Sequence, residues 1–290
     1  MKKILLFATL FFLVPVFGYA QNSKSVSEET EDVQWRANFK RIALELSNTS
    51  VSNASEYADS PNAQLSADSE SMIKGVFDGA IERETANSLW SNSLFMEYGE
   101  TKVKPVDDKT TTTENADKIL LKTDYTEKMW KYMEADVGPF ASLGYQTEFT
   151  ANDDAPRTKT FRGMQGIKLF NGKFVKELYG AAVEEWDLTY SDDIKKIAYE
   201  IGLKAEYPLR EGVKFQLESY FRDYVHFSRY EATDFDYEFN ITGRMDVKMI
   251  DCISLAPYMT YFEAKARGAD KKGSNFLVGL SLAYSKLFDL

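Results

Sequence analysis

The sequence predicts an all-β fold, a single antiparallel transmembrane β-barrel of about 12 strands with short turns at one end and longer loops at the other. Three observations predict it. Residues 276–290 alternate with period two: Phe276, Val278, Leu280, Leu282, Tyr284, Phe288 and Leu290 share one side, broken only by Lys286, while Leu277, Gly279, Ser281, Ala283, Ser285, Leu287 and Asp289 share the other. Beyond the first 20 residues there is no apolar run of the roughly 20 residues a membrane helix needs, so only a closed barrel of strands could span a bilayer. Short and long connections alternate along the chain, as expected where every second link is a tight turn.

The elements follow in order. Met1, Lys2 and Lys3 give a positive start, Ile4 to Phe17 an apolar segment, and Gly18-Tyr19-Ala20 a small-x-small cleavage signal, so residues 1–20 read as a signal peptide cut between Ala20 and Gln21. No Cys follows that segment, which argues against lipoprotein processing. Residues 21–34 read as a polar periplasmic tail and 35–290 as the barrel. Strong alternation marks strands at 197–207, 213–221, 237–249 and 276–290, and weaker alternation marks 35–51, 71–83, 88–100, 117–127, 130–149, 158–170, 174–189 and 253–264. Short links fall at 84–87, near 126–128, at 171–172, 208–211 and 250–253. Asn171-Gly172 is the pair that favours a type I′ hairpin. Longer polar links fall at 52–70, 101–116, 150–157, 190–195, 226–235 and 265–275.

Composition narrows the function. The chain has 35 Lys+Arg against 45 Asp+Glu, and loss of residues 1–20 would leave 33 against 45, a net charge of −12. That balance disfavours nucleic acid and anionic surfaces as partners. Cys252 is the single cysteine, so no intramolecular disulfide forms. His226 is the single histidine, which excludes sites built on several. No cofactor is implied.

Alternation alone does not distinguish a barrel that faces lipid from a soluble one with its apolar face turned inward. In the membrane orientation the apolar rows face hydrocarbon, and Glu200, Lys204, Lys214, Glu218, Arg222, Glu238, Arg244, Asp246 and Lys248 line the lumen. Their mixed signs would either neutralise each other and fill a narrow barrel or border a water-filled path with charge selectivity.

The closing strand resembles that of bacterial outer-membrane barrels, which their assembly machinery reads. Trp90-x-Asn92-x-Leu94-x-x-x-Tyr98-Gly99, followed by Asp117-Lys118-Ile119, resembles a Gram-negative outer-membrane barrel family catalogued as a domain of unknown function. Thr49-Ser50-Val51-Ser52-Asn53 is similar to that family's opening strand, with Ala54 where the family has Trp and without the glycine pair that follows. The resemblance covers most of the chain, implies an outer-membrane location, and brings no catalytic residues.

Chemistry has few candidates. Dinucleotide, P-loop and nucleophile-elbow motifs are absent. His226-Phe227-Ser228 with Asn240 is similar to the His-Ser-Asn arrangement of outer-membrane phospholipase A, in which His takes the Ser proton and Asn fixes the imidazole. By parity all three share the row of Lys214, Glu218 and Arg244 and so should face the lumen, where a lipase nucleophile is useless. Asp107-Asp108, Asp153-Asp154 and Asp192-Asp193 lie in links expected outside, where carboxylates would share divalent cations with lipopolysaccharide. The expectation is a non-enzymatic structural barrel or small-solute pore, with outer-membrane lipid, lipopolysaccharide and the barrel assembly machinery as partners. A lipid hydrolase and a soluble periplasmic barrel binding an apolar ligand are the alternatives.

Overall fold

The computed structural model describes residues 33–57, 60, 62–66, 71–103, 111–150, 156–189 and 192–290, with the side chains of 63, 66 and 100–116 also outside the description. The expected signal peptide with its cleavage site at Ala20 and Gln21, most of the expected tail, and both Asp107-Asp108 and Asp153-Asp154 lie outside the described residues.

Twelve long antiparallel strands close into a barrel. They are β1 (Gln34–Ser52), β2 (Ser71–Glu84), β3 (Ser88–Val103), β4 (Thr111–Glu127), β6 (Ala135–Thr147), β7 (Thr160–Phe170), β8 (Val175–Asp187), β9 (Ile194–Arg210), β10 (Val213–Phe227), β11 (Phe235–Ile250), β12 (Ile253–Ala266) and β13 (Gly273–Asp289). A three-residue strand, β5 (Trp130–Tyr132), pairs only with β6, and β4 pairs directly with β6 past it. Each long strand pairs with its sequence neighbours, and β13 returns to β1 in a register running from Arg36↔Asp289 to Ser52↔Ser274. Hydrocarbon offers no partner for an unpaired N–H or C=O, so this last seam is what permits the wall to sit in a bilayer.

The rhythm of links matches the reading of the sequence. Turns at 85–87, 128–134, 171–174, 211–212 and 251–252 alternate with longer links at 53–70, 104–110, 148–159, 188–193, 228–234 and 267–272. Gly212 (φ 72°) and Asp251 (φ 36°) take the left-handed backbone that two-residue turns require. Three expectations need correction. At Asn171-Gly172 only Asn171 (φ 58°) is left-handed and the link has four residues, so the turn is not type I′, which needs positive φ at both positions. The strand expected over 130–149 is broken, because Met133 (φ 55°) folds residues 130–137 into a small hairpin of their own. The link expected over 101–116 is largely strand, β3 and β4 pairing up to Val103↔Thr111.

The two faces separate by polarity. Ile42, Leu44 and Leu46 on β1, Ile197, Tyr199 and Ile201 on β9, and Phe276, Val278, Leu280 and Leu282 on β13 are all 41–55% exposed on the convex side. Glu45, Glu200, Arg222, Glu238, Arg244, Asp246 and Ser281 are buried between them in sequence. A soluble barrel with an apolar interior would show the reverse. Exposed aromatics gather near the two ends of the outer wall. Trp35, Trp90, Tyr125, Trp130, Phe174 and Tyr207 lie toward the short turns, and Tyr98, Phe149, Tyr199 and Phe276 toward the long links. Paired aromatic girdles of this kind flank the apolar band of membrane barrels.

Leu280 sits midway along β13, opposite Leu46 on β1 and Pro257 on β12. Leu280→Arg places a cation in hydrocarbon and is expected to lower the unfolding free energy by about 2–4 kcal/mol, as measured by guanidinium titration of the protein refolded into phospholipid vesicles.

Candidate functional site

The interior is built by the even-numbered rows of β9 to β12 and the facing rows of β1, β2, β3, β4, β7, β8 and β13. Ion pairs between strands that are not neighbours fix this orientation, because only the concave side lets such side chains meet. Arg244 on β11 reaches Glu45 on β1 at 3.5 Å, across β12 and β13, and Lys168 on β7 reaches Asp124 on β4 at 2.7 Å, across β6.

Three ionic groups fill the space. The largest centres on Arg222, which bonds Glu238 at 2.7 Å, Glu200 through both Nε (2.6 Å) and Nη2, and approaches Glu185 at 4.0 Å. Arg162 holds Glu185 at 2.5–2.9 Å, and the Tyr179 hydroxyl donates to Glu200. Gly202 makes that last contact possible: a Cβ there would lie 2.3 Å from the Tyr179 ring, so only glycine lets the ring lie against the wall. The second group has Glu45 facing Arg41, Lys74 and Arg244 at 3.5–3.6 Å, with Lys74 also on Glu97 at 2.9 Å and Arg244 on Asp246 at 2.8 Å. The third joins Asp124 to Lys168 and Lys122, with the Lys168 ammonium 4.4 Å above the Phe140 ring.

Toward the short turns the interior also holds a cavity of about 1220 Å³. Lys204, Lys214, Glu218, Arg244, Asp246 and Lys248 line it, together with the turn residues Gly212, Asp251 and Cys252. Lys204 and Glu218 are exposed although they sit inside the barrel, which means that this part of the interior has room for water.

The residues expected in the interior fall into two sets. Glu200, Arg222 and Glu238 belong to the Arg222 group, and the other six border the cavity. Sequence reasoning missed Glu45, Lys74, Glu97, Arg162 and Glu185. Glu45 and Glu97 carry a visible signal, each a lone carboxylate between apolar residues in Leu44-Glu45-Leu46 and Met96-Glu97-Tyr98.

His226, Ser228 and Asn240 are not brought together. Asn240 pairs with Tyr220, and His226 lies six residues further along β10, about 20 Å away at the rise of a strand. The parity expected for His226 and Ser228 is also wrong. A bulge at Val225 shifts the register so that Tyr224↔Ala198 is followed by His226↔Ile197. Past the bulge it is Phe227, 3% exposed and 5.6 Å from the Tyr224 ring, that points inward, while His226 turns to the outer side with Ile197. Ser228 Oγ accepts the Lys195 backbone N–H at 2.9 Å. Asp192 pairs with Arg229 at 3.0 Å, and among the described residues no three metal-ligating side chains converge.

A closed wall, apolar outside and ionic inside, settles the class. The molecule is an outer-membrane β-barrel by fold. Among solved structures, an outer membrane channel from Pseudomonas putida matches over 91% of this chain and 100% of its own at 9% identity, with a TM-score of 0.50. The outer membrane channel DcaP of Acinetobacter baumannii matches over 90% and 99% at 9% identity and TM-score 0.42. Outer membrane phospholipase A from Escherichia coli matches over 90% and 94% at 9% identity and TM-score 0.45. At 9% identity the likeness to the P. putida channel is one of fold. No family model and no curated protein matches the sequence.

Arg222→Leu removes the partner of two buried carboxylates and is expected to cost about 3–5 kcal/mol of stability. Adding Glu200→Gln and Glu238→Gln is expected to recover most of that loss in the same denaturant titration, since no unpaired charge then remains at the site.

Proposed function

We propose that the protein is a non-enzymatic pore of the outer membrane for small polar solutes, with the charged interior setting its selectivity. The observation that carries this reading is the cavity of about 1220 Å³ inside the barrel, open enough to expose Lys204 and Glu218 and lined by charges of both signs. A barrel that served only as a wall needs no such space, and the interior of a 12-strand barrel lies between the filled 8-strand case and the open 16-strand porins. Lipid and lipopolysaccharide contact the outer rows of this reading, and the assembly machinery engages β13 during insertion. The separation of Asn240 from His226 and Ser228 speaks against acyl hydrolysis at those residues.

Purified protein reconstituted in a planar bilayer is expected to give stepwise conductance. Lys204→Glu with Lys248→Glu is expected to move the reversal potential in a salt gradient toward cation preference, because both lysines border the cavity. Folded protein, verified by its shifted migration before boiling, that leaves the bilayer silent would overturn the reading. In a labelled-phospholipid assay, Ser228→Ala is expected to be indistinguishable from the wild type.

A further inference from the structure

The described residues of the link between β1 and β2 bring Tyr57 and Leu65 against the inner face of β12. Asn53 (φ 61°) redirects the chain, and its amide donates to the Lys272 carbonyl at 2.9 Å. A 3-10 turn (Ala54–Tyr57) and a one-turn helix (Ala63–Ser66) follow. Tyr57 is 2% exposed and Leu65 0%, and both pack on Phe262, Ala264 and Ala266 of the inner row of β12, at the end with the long links. The Tyr57 hydroxyl lies 3.1 Å from the Ala264 carbonyl and 2.9 Å from that of Lys271, and accepts the Ala266 N–H at 3.3 Å. Gly273 leaves room for the ring, since a Cβ there would lie 2.8 Å from it. Asn275 on β13 donates to the Gln64 carbonyl at 2.8 Å, beneath the helical turn.

Tyr57, Leu65, Phe262, Ala264 and Ala266 form an apolar cluster with no ion pair within it. Along the inner row β12 carries Ser254, Ala256, Tyr258 and Thr260, then Phe262, Ala264 and Ala266 at the end with the long links, where the two alanines leave space for the Tyr57 ring. Burial of Tyr57 and Leu65 there holds both side chains on the inner wall by hydrophobic contact and, for Tyr57, by hydrogen bonds.

We infer that Tyr57 and Leu65 form a plug that seals the outer mouth, so that passage through the barrel requires them to leave their socket. This inference rests on the pore reading. It therefore needs one readout of conduction and one of occupancy that is independent of conduction.

For occupancy, Asn275→Cys is introduced in a Cys252→Ser background of the full chain, and its reaction rate with a small charged maleimide is measured in detergent. The thiol is expected to react slowly, and at least about tenfold faster when Tyr57→Ala is added, the change expected on removing a buried aromatic and its hydrogen bonds. Leu65→Ser, which touches no strand hydrogen bond, is expected to accelerate it likewise and guards against misfolding of the first variant. In planar bilayers both substitutions are expected to raise conductance severalfold. Equal labelling rates with and without either substitution would sink the plug. Protection lifted by both substitutions while every variant stays silent in the bilayer would uphold the plug and overturn the pore.

Discussion

The constraint on which this molecule depends is that no backbone polar group may remain unpaired in hydrocarbon. A sheet of 12 strands has two edges, and each edge would present a row of N–H and C=O groups to lipid at a cost of several kcal/mol per group. Pairing β13 with β1 over nearly the whole length of both removes the edges together. Once that seam exists, the pleat leaves no freedom in the side chains: successive residues face opposite solvents, and a slip of one residue would exchange lipid-facing leucines for lumenal carboxylates. The register Leu46↔Leu280 beside Glu45↔Ser281 is therefore defended twice, once by lipid and once by the charges inside.

Those inner charges are not equivalent to surface salt bridges. Arg222, Glu200 and Glu238 have almost no exposure, so each is stable only while its partners stay in place. The Arg222 group joins β7, β8, β9, β10 and β11, strands already hydrogen-bonded as a sheet, and so it stiffens that wall more than it holds it closed. The pair between Arg244 and Glu45 works differently. It is a chord across the seam, and it fixes the curvature where the first and last strands meet.

The outer wall was legible from the sequence because lipid tolerates no interruption: the even row of residues 276–290 and the odd row of 197–207 both emerge facing hydrocarbon. The turn after β7 was legible at Asn171, which takes the left-handed backbone, but its length and type were not. What stayed hidden leaves no mark in composition. The bulge at Val225 inserts one residue in an ordinary run of strand-forming side chains, yet it reverses parity beyond it, and so His226 and Ser228 came out on the opposite face from the one expected. Ion-pair partners were hidden for another reason. That Arg244 meets Glu45 depends on barrel closure, which brings residues about 200 positions apart together and cannot be read from local alternation.

The distribution of the interior carries the last step. Had the charges been spread evenly, a barrel of this width would be either filled throughout or open throughout. Instead the Arg222 group and the seat of Tyr57 and Leu65 lie toward the long links, and the cavity shares the end with the short turns with the Asp124–Lys168 pair. The half facing the long links holds the Arg222 group and an apolar seat. The half facing the turns keeps Lys204 and Glu218 wet. Moving a solute from the wet half outward would demand that charged side chains exchange protein partners for water or for the solute itself. Separating a buried arginine from its carboxylates is costly unless water or the solute takes the lost partner's place, whereas an apolar filling would offer a polar solute no substitute contact.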